Sequence, residues 1–276
     1  MRSSLPLLLC LLWFGSPRAE AAAVAKPVTP VLRVCADPGN LPYSDDRERG
    51  FENRLAKFVA RELGATVEYT WRAQRRGFLR STLNAKRCDV VIGVPVDVPG
   101  VKTTRPYYRS NFAFVSRKDR HLERLRSLDD PRLHGLKIGV PLAGDDGSNP
   151  APAHVLARRG IASWAGYSLW ADYHRDVPAA VDAVLSGTID VALLWGPVAG
   201  AGAHEHSSVL RVELVKEESD SGVPLAFSIA MAVRSDDGAL AERLNGVLSH
   251  RRVAIEQILR AAGIPMLPLP NPRSEP

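Results

Sequence analysis

Three short segments decide the fold of this chain: VLRVCA at residues 31–36, TVEYTW at residues 66–71 and DVVIGV at residues 89–94. Each has the length and the β-branched or apolar composition of a strand. Between them, residues 51–63 carry apolar side chains at the spacing of one helical face, and residues 77–85 predict a second helix. This alternation of strands and helices is typical of a parallel α/β sheet.

The same order of elements returns in the second half of the chain. LKIGV at residues 136–140 and IDVALLW at residues 189–195 are predicted strands, and helices are predicted over residues 151–159 and 178–186. Because the unit occurs twice, the sequence predicts an α/β protein of two lobes, each a mostly parallel sheet flanked by helices.

Two further predicted strands join these lobes. NFAFVS at residues 111–116 leaves the first lobe, and AFSIAMAV at residues 226–233 returns to it. We therefore assign residues 30–112 plus 229–276 to lobe I and residues 113–228 to lobe II. Two crossing strands of this kind leave a cleft between the lobes.

The first 25 residues have the pattern of a cleaved secretory signal peptide. Arg2 supplies a positive charge, LPLLLCLLWF at residues 5–14 is apolar, and small residues follow at residues 19–25. The apolar stretch is shorter than the roughly 20 residues that a membrane span needs. The sequence therefore predicts a signal peptide over residues 1–25, export to the periplasm and no membrane span.

The formal net charge of +6 is scattered along the chain. Its longest basic runs are only pairs, Arg75-Arg76 and Arg251-Arg252. Because nucleic-acid binding proteins concentrate basic residues on one face, we expect no nucleic-acid partner. The positive balance indicates a mild preference for acidic protein partners.

Several ordered segments resemble a known family. Leu32-Arg33-Val34, Leu41-Pro42-Tyr43 and Pro106-Tyr107-Tyr108 resemble periplasmic receptors of the polar amino-acid type, solute-binding protein family 3, which have the type II periplasmic binding protein fold. A narrower resemblance is to the MoxJ/XoxJ group, the quinoprotein-dehydrogenase-associated binding proteins of methanol oxidation. It is carried by the runs LRVCADPGNLPYSD, GFENRLA, WRAQRRGF, KRCDVVIGVP, TTRPYYRS, IGVPLAGDD, PAPAHVLARRGI and DVALLWGP.

This resemblance implies an accessory binding protein without catalytic residues, metal or cofactor of its own. Its partner would be a PQQ-dependent methanol dehydrogenase or the cytochrome c of that enzyme, and its role would be docking and assisting assembly or activation. Two alternatives stay open at this point. One is an ABC-transporter receptor for a small polar or aromatic ligand, and the other is a dehydratase-like enzyme on the same frame.

The chain departs from ordinary amino-acid receptors at the positions that would grip the ligand. Those receptors place an arginine after the third strand, where its planar fork binds the ligand carboxylate. Residues 93–101 contain no arginine, and the segment that follows Gly50-Phe51 reads Glu52-Asn53-Arg54. A buried carboxylate would lack a partner here, so we expect that free amino acids do not bind.

Open α/β sheets present binding residues in the loops at the carboxyl ends of their strands. Trp71 and Trp195 end equivalent strands of the two lobes, and with Tyr43 we expect them to form an exposed aromatic patch in an open cleft. The alternative is that each tryptophan caps the core of its own lobe. The expected cleft or partner-binding residues are Asp37, Asn40, Tyr43, Trp71, Arg72, Gln74 and Pro95 in lobe I and Asp145, Asp146, Trp195 and Gly196 in lobe II.

Acidic residues and histidines do not form a convincing metal or catalytic set. Asp145 and Asp146 lie in a glycine loop, where aspartates commonly form turns and helix caps. His204-Glu205-His206 lies in a segment of small residues without further ligands at suitable spacing, which favours a solvated loop.

Cys35 and Cys88 are the two cysteines outside the signal peptide. In the receptor fold that the chain resembles, the first and third strands are neighbours, and these residues lie on or beside them. Because disulfides persist in exported proteins, we expect a Cys35–Cys88 bridge, with two buried thiols as the alternative.

Overall fold

The structure is a computed structural model that describes residues 29–142, 151–168 and 174–270. The predicted signal peptide therefore lies outside the described residues. The described residues form fourteen strands: β1 Val31–Ala36, β2 Gly39–Asn40, β3 Ser44–Asp45, β4 Thr66–Trp71, β5 Val90–Pro95, β6 Lys102–Thr103, β7 Tyr108–Arg117, β8 Ile138–Leu142, β9 Trp164–Ser168, β10 Val191–Trp195, β11 Leu210–Leu214, β12 Ser219–Asp220, β13 Val223–Pro224 and β14 Ala226–Val233.

Helices follow the strands in the predicted alternation. No helix among the described residues is long and apolar enough to cross a membrane. The α-helices of this part of the chain are α1 Phe51–Glu62, α2 Phe78–Ser81, α3 Ala151–Arg158, α4 Ala179–Leu185, α5 Gly196–His204, α6 Gly238–His250 and α7 Arg252–Ala261, with 3-10 helices at Lys118–Arg120 and Pro131–Gly135.

The sheet of lobe I has the order β4-β1-β5-β14. β1 runs parallel to β4 and β5, so that Val34 is paired with both Tyr69 and Val90, whereas β14 runs antiparallel to β5. Helix α1 buries Phe51, Leu55 and other apolar residues of one face, and α6 and α7 contribute to the same core. The apolar spacing that predicted α1 is therefore the face that packs.

The sheet of lobe II is built in the same way. β8 lies between β9 and β10 and runs parallel to both, whereas β7 runs antiparallel to β10 and β11. Its two faces bury separate apolar clusters, one around Leu193 and Ile138 and the other around Val115 and Leu194.

β7 and β14 connect the lobes. They pair antiparallel to each other, from Ala226 opposite Asn111 to Ile229 opposite Tyr108, and each continues into the sheet of a lobe. These pairings confirm the predicted architecture of two α/β lobes joined by two crossing strands. Lobe I denotes residues 30–112 plus 229–276, and lobe II denotes residues 113–228.

The helix predicted over residues 77–85 is much shorter in the structure. Gly77 adopts a left-handed conformation before α2, and the Thr82 hydroxyl donates to the Phe78 carbonyl at 2.6 Å. Threonine that bonds the preceding turn in this way competes with helix continuation, so the chain leaves the helix after Ser81.

Cys35 and Cys88 form the expected disulfide, with Cα atoms 5.5 Å apart. The bridge links β1 to the residue two positions before β5. Both cysteines are buried in a small cluster with Phe78 and Leu83. The bridge therefore cross-links the part of lobe I that packs against α2.

Gly50 immediately precedes α1 and leaves no room for a side chain. An added Cβ would lie 2.0 Å from the Tyr43 carbonyl oxygen and 2.6 Å from the Ser44 Cα atom. Both atoms are backbone, so relief requires the loop before the helix to move. We expect Gly50→Ala to lower the free energy of unfolding by about 1–3 kcal/mol, measured by urea denaturation.

Gly135→Ala is the matched control, because an added Cβ there meets no atom within 4 Å. It should change the free energy of unfolding by no more than about 0.5 kcal/mol. Equal stability of the two variants would contradict a steric requirement at residue 50.

Candidate binding cleft

The chain between β1 and α1 carries Asp37 and Asn40, and the loop after β4 carries Gln74. Asp37 is buried, and its carboxylate accepts hydrogen bonds from the backbone N–H of Gly39 at 2.9 Å and of Gln74 at 2.6 Å. The Asn40 side chain donates to the Gln74 side chain at 3.4 Å. Asp37 thus holds this segment against the loop after β4, with one backbone hydrogen bond to each carboxylate oxygen.

Trp71 and Trp195 end β4 and β10 as predicted, but their surroundings differ. Trp71 is half-buried and stacks on Tyr69, with ring centroids 4.5 Å apart and planes at 19°. Trp195 makes edge contacts with Phe112 at 5.7 Å and Phe227 at 5.5 Å. Trp71 therefore lies along its own strand, whereas Trp195 packs on the two strands that connect the lobes.

Trp195 also contacts lobe I directly. Its indole lies beside the hydroxyl of Tyr43, and the Tyr43 ring lies beside Phe51 at a centroid distance of 5.5 Å. Burial, and then the nearby Glu52, raise the pKa of the Tyr43 hydroxyl well above its usual range.

Two further polar contacts bridge the cleft. Arg49 forms an ion pair with Asp176 at 2.9 Å, and the backbone N–H of His174 donates to the Gly39 carbonyl at 3.0 Å. In this conformation Tyr43 and Trp195 are half-buried and lie side by side across the cleft, so exposure of the patch requires the lobes to open.

Glu52 is a cleft residue that the sequence did not single out as a site. It lies in the first turn of α1, is half-buried, and its carboxyl forms no hydrogen bond or ion pair with the described residues. Burial raises the pKa of this carboxyl to about 8. In turn, Glu52 contributes to the raised pKa values of Tyr43, Tyr107 and Tyr108.

Gly93 on β5 makes the room that Glu52 occupies. A Cβ added at this glycine would lie 1.9 Å from the Glu52 Oε1 atom. The available sequence signals were an acidic residue directly after Gly50-Phe51 and a glycine within an apolar strand. Neither signal shows by itself that the two positions meet.

Comparison with known proteins places this geometry in a family. No protein-family model matches the chain. The curated protein MoxJ of Methylorubrum extorquens strain AM1 is 32% identical over 263 residues, which cover 92% of this chain and 87% of MoxJ. The chain belongs to the MoxJ/XoxJ family.

Solved structures agree with this family and its fold. The periplasmic binding protein XoxJ from Methylobacterium extorquens AM1 is 36% identical, with a TM-score of 0.70 over 86% of this chain and all of XoxJ. An ancestral cationic amino-acid solute-binding protein is 21% identical, with a TM-score of 0.65 over 84% of this chain and 95% of that protein. The predicted type II periplasmic binding protein fold and the MoxJ/XoxJ resemblance are thereby confirmed.

The remaining expected positions of this MoxJ/XoxJ-family chain have different surroundings, and Arg72 is exposed after β4. Pro95 is exposed at the end of β5, opposite Ile229. Gly196 begins α5, where an added Cβ would lie 2.3 Å from the Ser110 Oγ atom. Asp145 and Asp146 lie outside the described residues. No group of three or more potential metal ligands occurs in the part of the chain that the structure describes.

Proposed function

We propose that this MoxJ/XoxJ-family chain is an exported periplasmic accessory protein of a PQQ-dependent methanol or alcohol oxidation system. It docks the dehydrogenase or its cytochrome c through the cleft side and assists assembly or activation of that enzyme. The observation that carries the proposal is the aromatic contact between the lobes, in which Trp195 meets Tyr43, Phe112 and Phe227.

The cleft suits an aromatic protein contact better than capture of an amino acid. Side chains of the protein itself link the lobes, and residues 93–101 supply no arginine for a ligand carboxylate. Opening of the lobes about the connecting strands would release Trp195 from Tyr43 and present both to a partner. Tryptophan and tyrosine are favoured anchors of protein interfaces.

Catalysis is not part of the proposed role. The carboxylate of Asp37 is occupied by two backbone N–H groups, and that of Asp45 accepts from the backbone and side chain of Arg49. These aspartates hold loops in place instead.

Trp195→Ala tests the docking role. It removes the ring contacts to Phe112 and Phe227 and the indole beside Tyr43. We expect the affinity for the purified cognate dehydrogenase to fall about 30-fold, as for an interface anchor. Biolayer interferometry gives the affinity, and dehydrogenase activity with and without the protein gives the functional effect.

Trp164→Ala is the matched control. Trp164 is also half-buried, but it begins β9, at the opposite end of the lobe II sheet from the cleft. It should leave dehydrogenase affinity unchanged within about twofold, since energetic anchors are local. Equal affinity of the two variants would remove the support for docking through the cleft, and a micromolar amino-acid ligand in calorimetry would favour the transport receptor instead.

A further inference from the structure

Three exposed arginines lie on the loop that follows β4 and on α2. Arg72, Arg76 and Arg80 are all exposed, and none forms an ion pair with the described residues. Residues 72 and 76 can be at most about 14 Å apart along the chain. Arg80 lies on α2, and its guanidinium folds back toward the Gly77 backbone at the end of the loop.

Many other arginines of the protein are neutralised by a carboxylate. Arg33 pairs with Asp89 at 2.6 Å, Arg109 with Glu218 at 2.7 Å and Arg159 with Asp220 at 2.8 Å. Arg72, Arg76 and Arg80 differ from these residues because no carboxylate among the described residues neutralises them. The positive electrostatic potential of these arginines attracts an acidic partner.

The backbone of this loop is held on both sides. The Asp37 carboxylate accepts from the Gln74 N–H at 2.6 Å, and the Phe78 side chain is 5% exposed in the cluster that contains the disulfide. Thr82 and Ser81 return hydrogen bonds to the Phe78 carbonyl. A loop that is already ordered loses less conformational entropy when a partner binds.

The loop also borders the contact between the lobes. Asn40 hydrogen-bonds to Gln74, and the adjacent Gly39 carbonyl accepts from His174 of lobe II. A partner that reaches into the cleft from this side therefore passes the arginines.

We propose that Arg72, Arg76 and Arg80 form a preorganised docking surface for a carboxylate-rich face of a protein partner. The guanidinium fork matches carboxylate geometry, and arginine beside half-buried Trp71 has the composition of a protein interface. Trp71 is stacked on Tyr69 instead of projecting, which favours a protein face over insertion into a membrane. The identity of the partner rests on the proposed function, whereas the surface itself does not.

The test compares two double substitutions that each remove two positive charges. Arg72→Gln with Arg76→Gln neutralises the loop, and Arg243→Gln with Arg260→Gln neutralises exposed arginines on α6 and α7. We expect the loop variant to bind the purified cognate dehydrogenase or its cytochrome c about tenfold more weakly at low salt, and the helix variant to bind like the unsubstituted protein. The difference should shrink to about twofold or less in 0.5 M NaCl.

Immobilised poly-L-glutamate provides a second measurement that does not depend on the dehydrogenase system. The loop variant should elute from it at lower salt than the helix variant. If neither the dehydrogenase nor the cytochrome binds the unsubstituted protein, the proposed function fails and this elution order still decides the docking surface. If either protein binds and both variants bind equally, the surface is overturned and the proposed function survives.

Vesicles of phosphatidylglycerol separate a membrane from a protein partner. Co-sedimentation that the loop substitutions abolish, together with identical elution of both variants from poly-L-glutamate, would overturn the proposal in favour of a lipid surface. Identical elution of the loop and helix variants from poly-L-glutamate, without binding to the vesicles, would overturn the proposed docking surface as well.

Discussion

Replacement of both bridged cysteines, Cys35→Ala with Cys88→Ala, is expected to lower the free energy of unfolding by about 4 kcal/mol. The bridge spans a sequence separation of 53 residues. Closing a loop of this length restricts the unfolded chain by about that amount in the chain-entropy model. Since natural domains have a net stability of about 5–15 kcal/mol, the loss is a large share of the total.

Both cysteines are buried. We therefore expect substitution of the cysteines and reduction of the bridge to lower the free energy of unfolding by similar amounts. Urea denaturation measures this loss, applied to the double variant and to the unsubstituted protein with and without dithiothreitol. The reductant should leave the midpoint of the double variant unchanged. Equal midpoints for oxidised and reduced protein would show that the bridge does not stabilise the fold.

Glu52→Gln is expected to raise the free energy of unfolding at pH 7 by up to about 3 kcal/mol. The carboxyl has a pKa of 4.5 when unperturbed and of about 8 in the fold, so between these values the folded protein binds the proton more tightly than the unfolded chain. Stability conferred by protonated Glu52 is therefore lost as pH rises from about 4.5 to about 8. Each pH unit in this window is worth about 1.4 kcal/mol.

Glutamine keeps the shape of the side chain without titrating. The stability advantage of Glu52→Gln should vanish below about pH 4, grow through neutral pH and level off above about pH 8. The positive end of α1 favours the ionised carboxyl by up to about 1 kcal/mol, which reduces the size of the advantage.

Urea denaturation from pH 4 to 9 measures this difference. Glu242→Gln on α6 is the matched control, because that side chain is exposed. A difference between Glu52→Gln and the unsubstituted protein that stays constant with pH would contradict a protonated carboxyl in the cleft.

Local patterns determined most of the fold in advance. The apolar spacing of α1 and the β-branched segments at β1, β4 and β5 identify elements correctly, because burial of one face imposes its period on the sequence. The disulfide followed once those strands were placed beside each other. The predicted helix over residues 77–85 was too long, because the hydroxyl of Thr82 bonds the preceding turn and no apolar pattern reports this contact.

The sequence by itself determined the two lobes, the crossing strands, the family and the bridged cysteines, since each depends on composition, spacing or resemblance along the chain. Only the tertiary structure decided how the cleft is filled. The approach of Trp195 to Tyr43 and the fit of Glu52 against Gly93 join residues far apart in sequence. The pKa of a carboxyl and the exposure of an aromatic ring depend on which groups surround them in space, and that arrangement exists only after the strands have paired and the lobes have met.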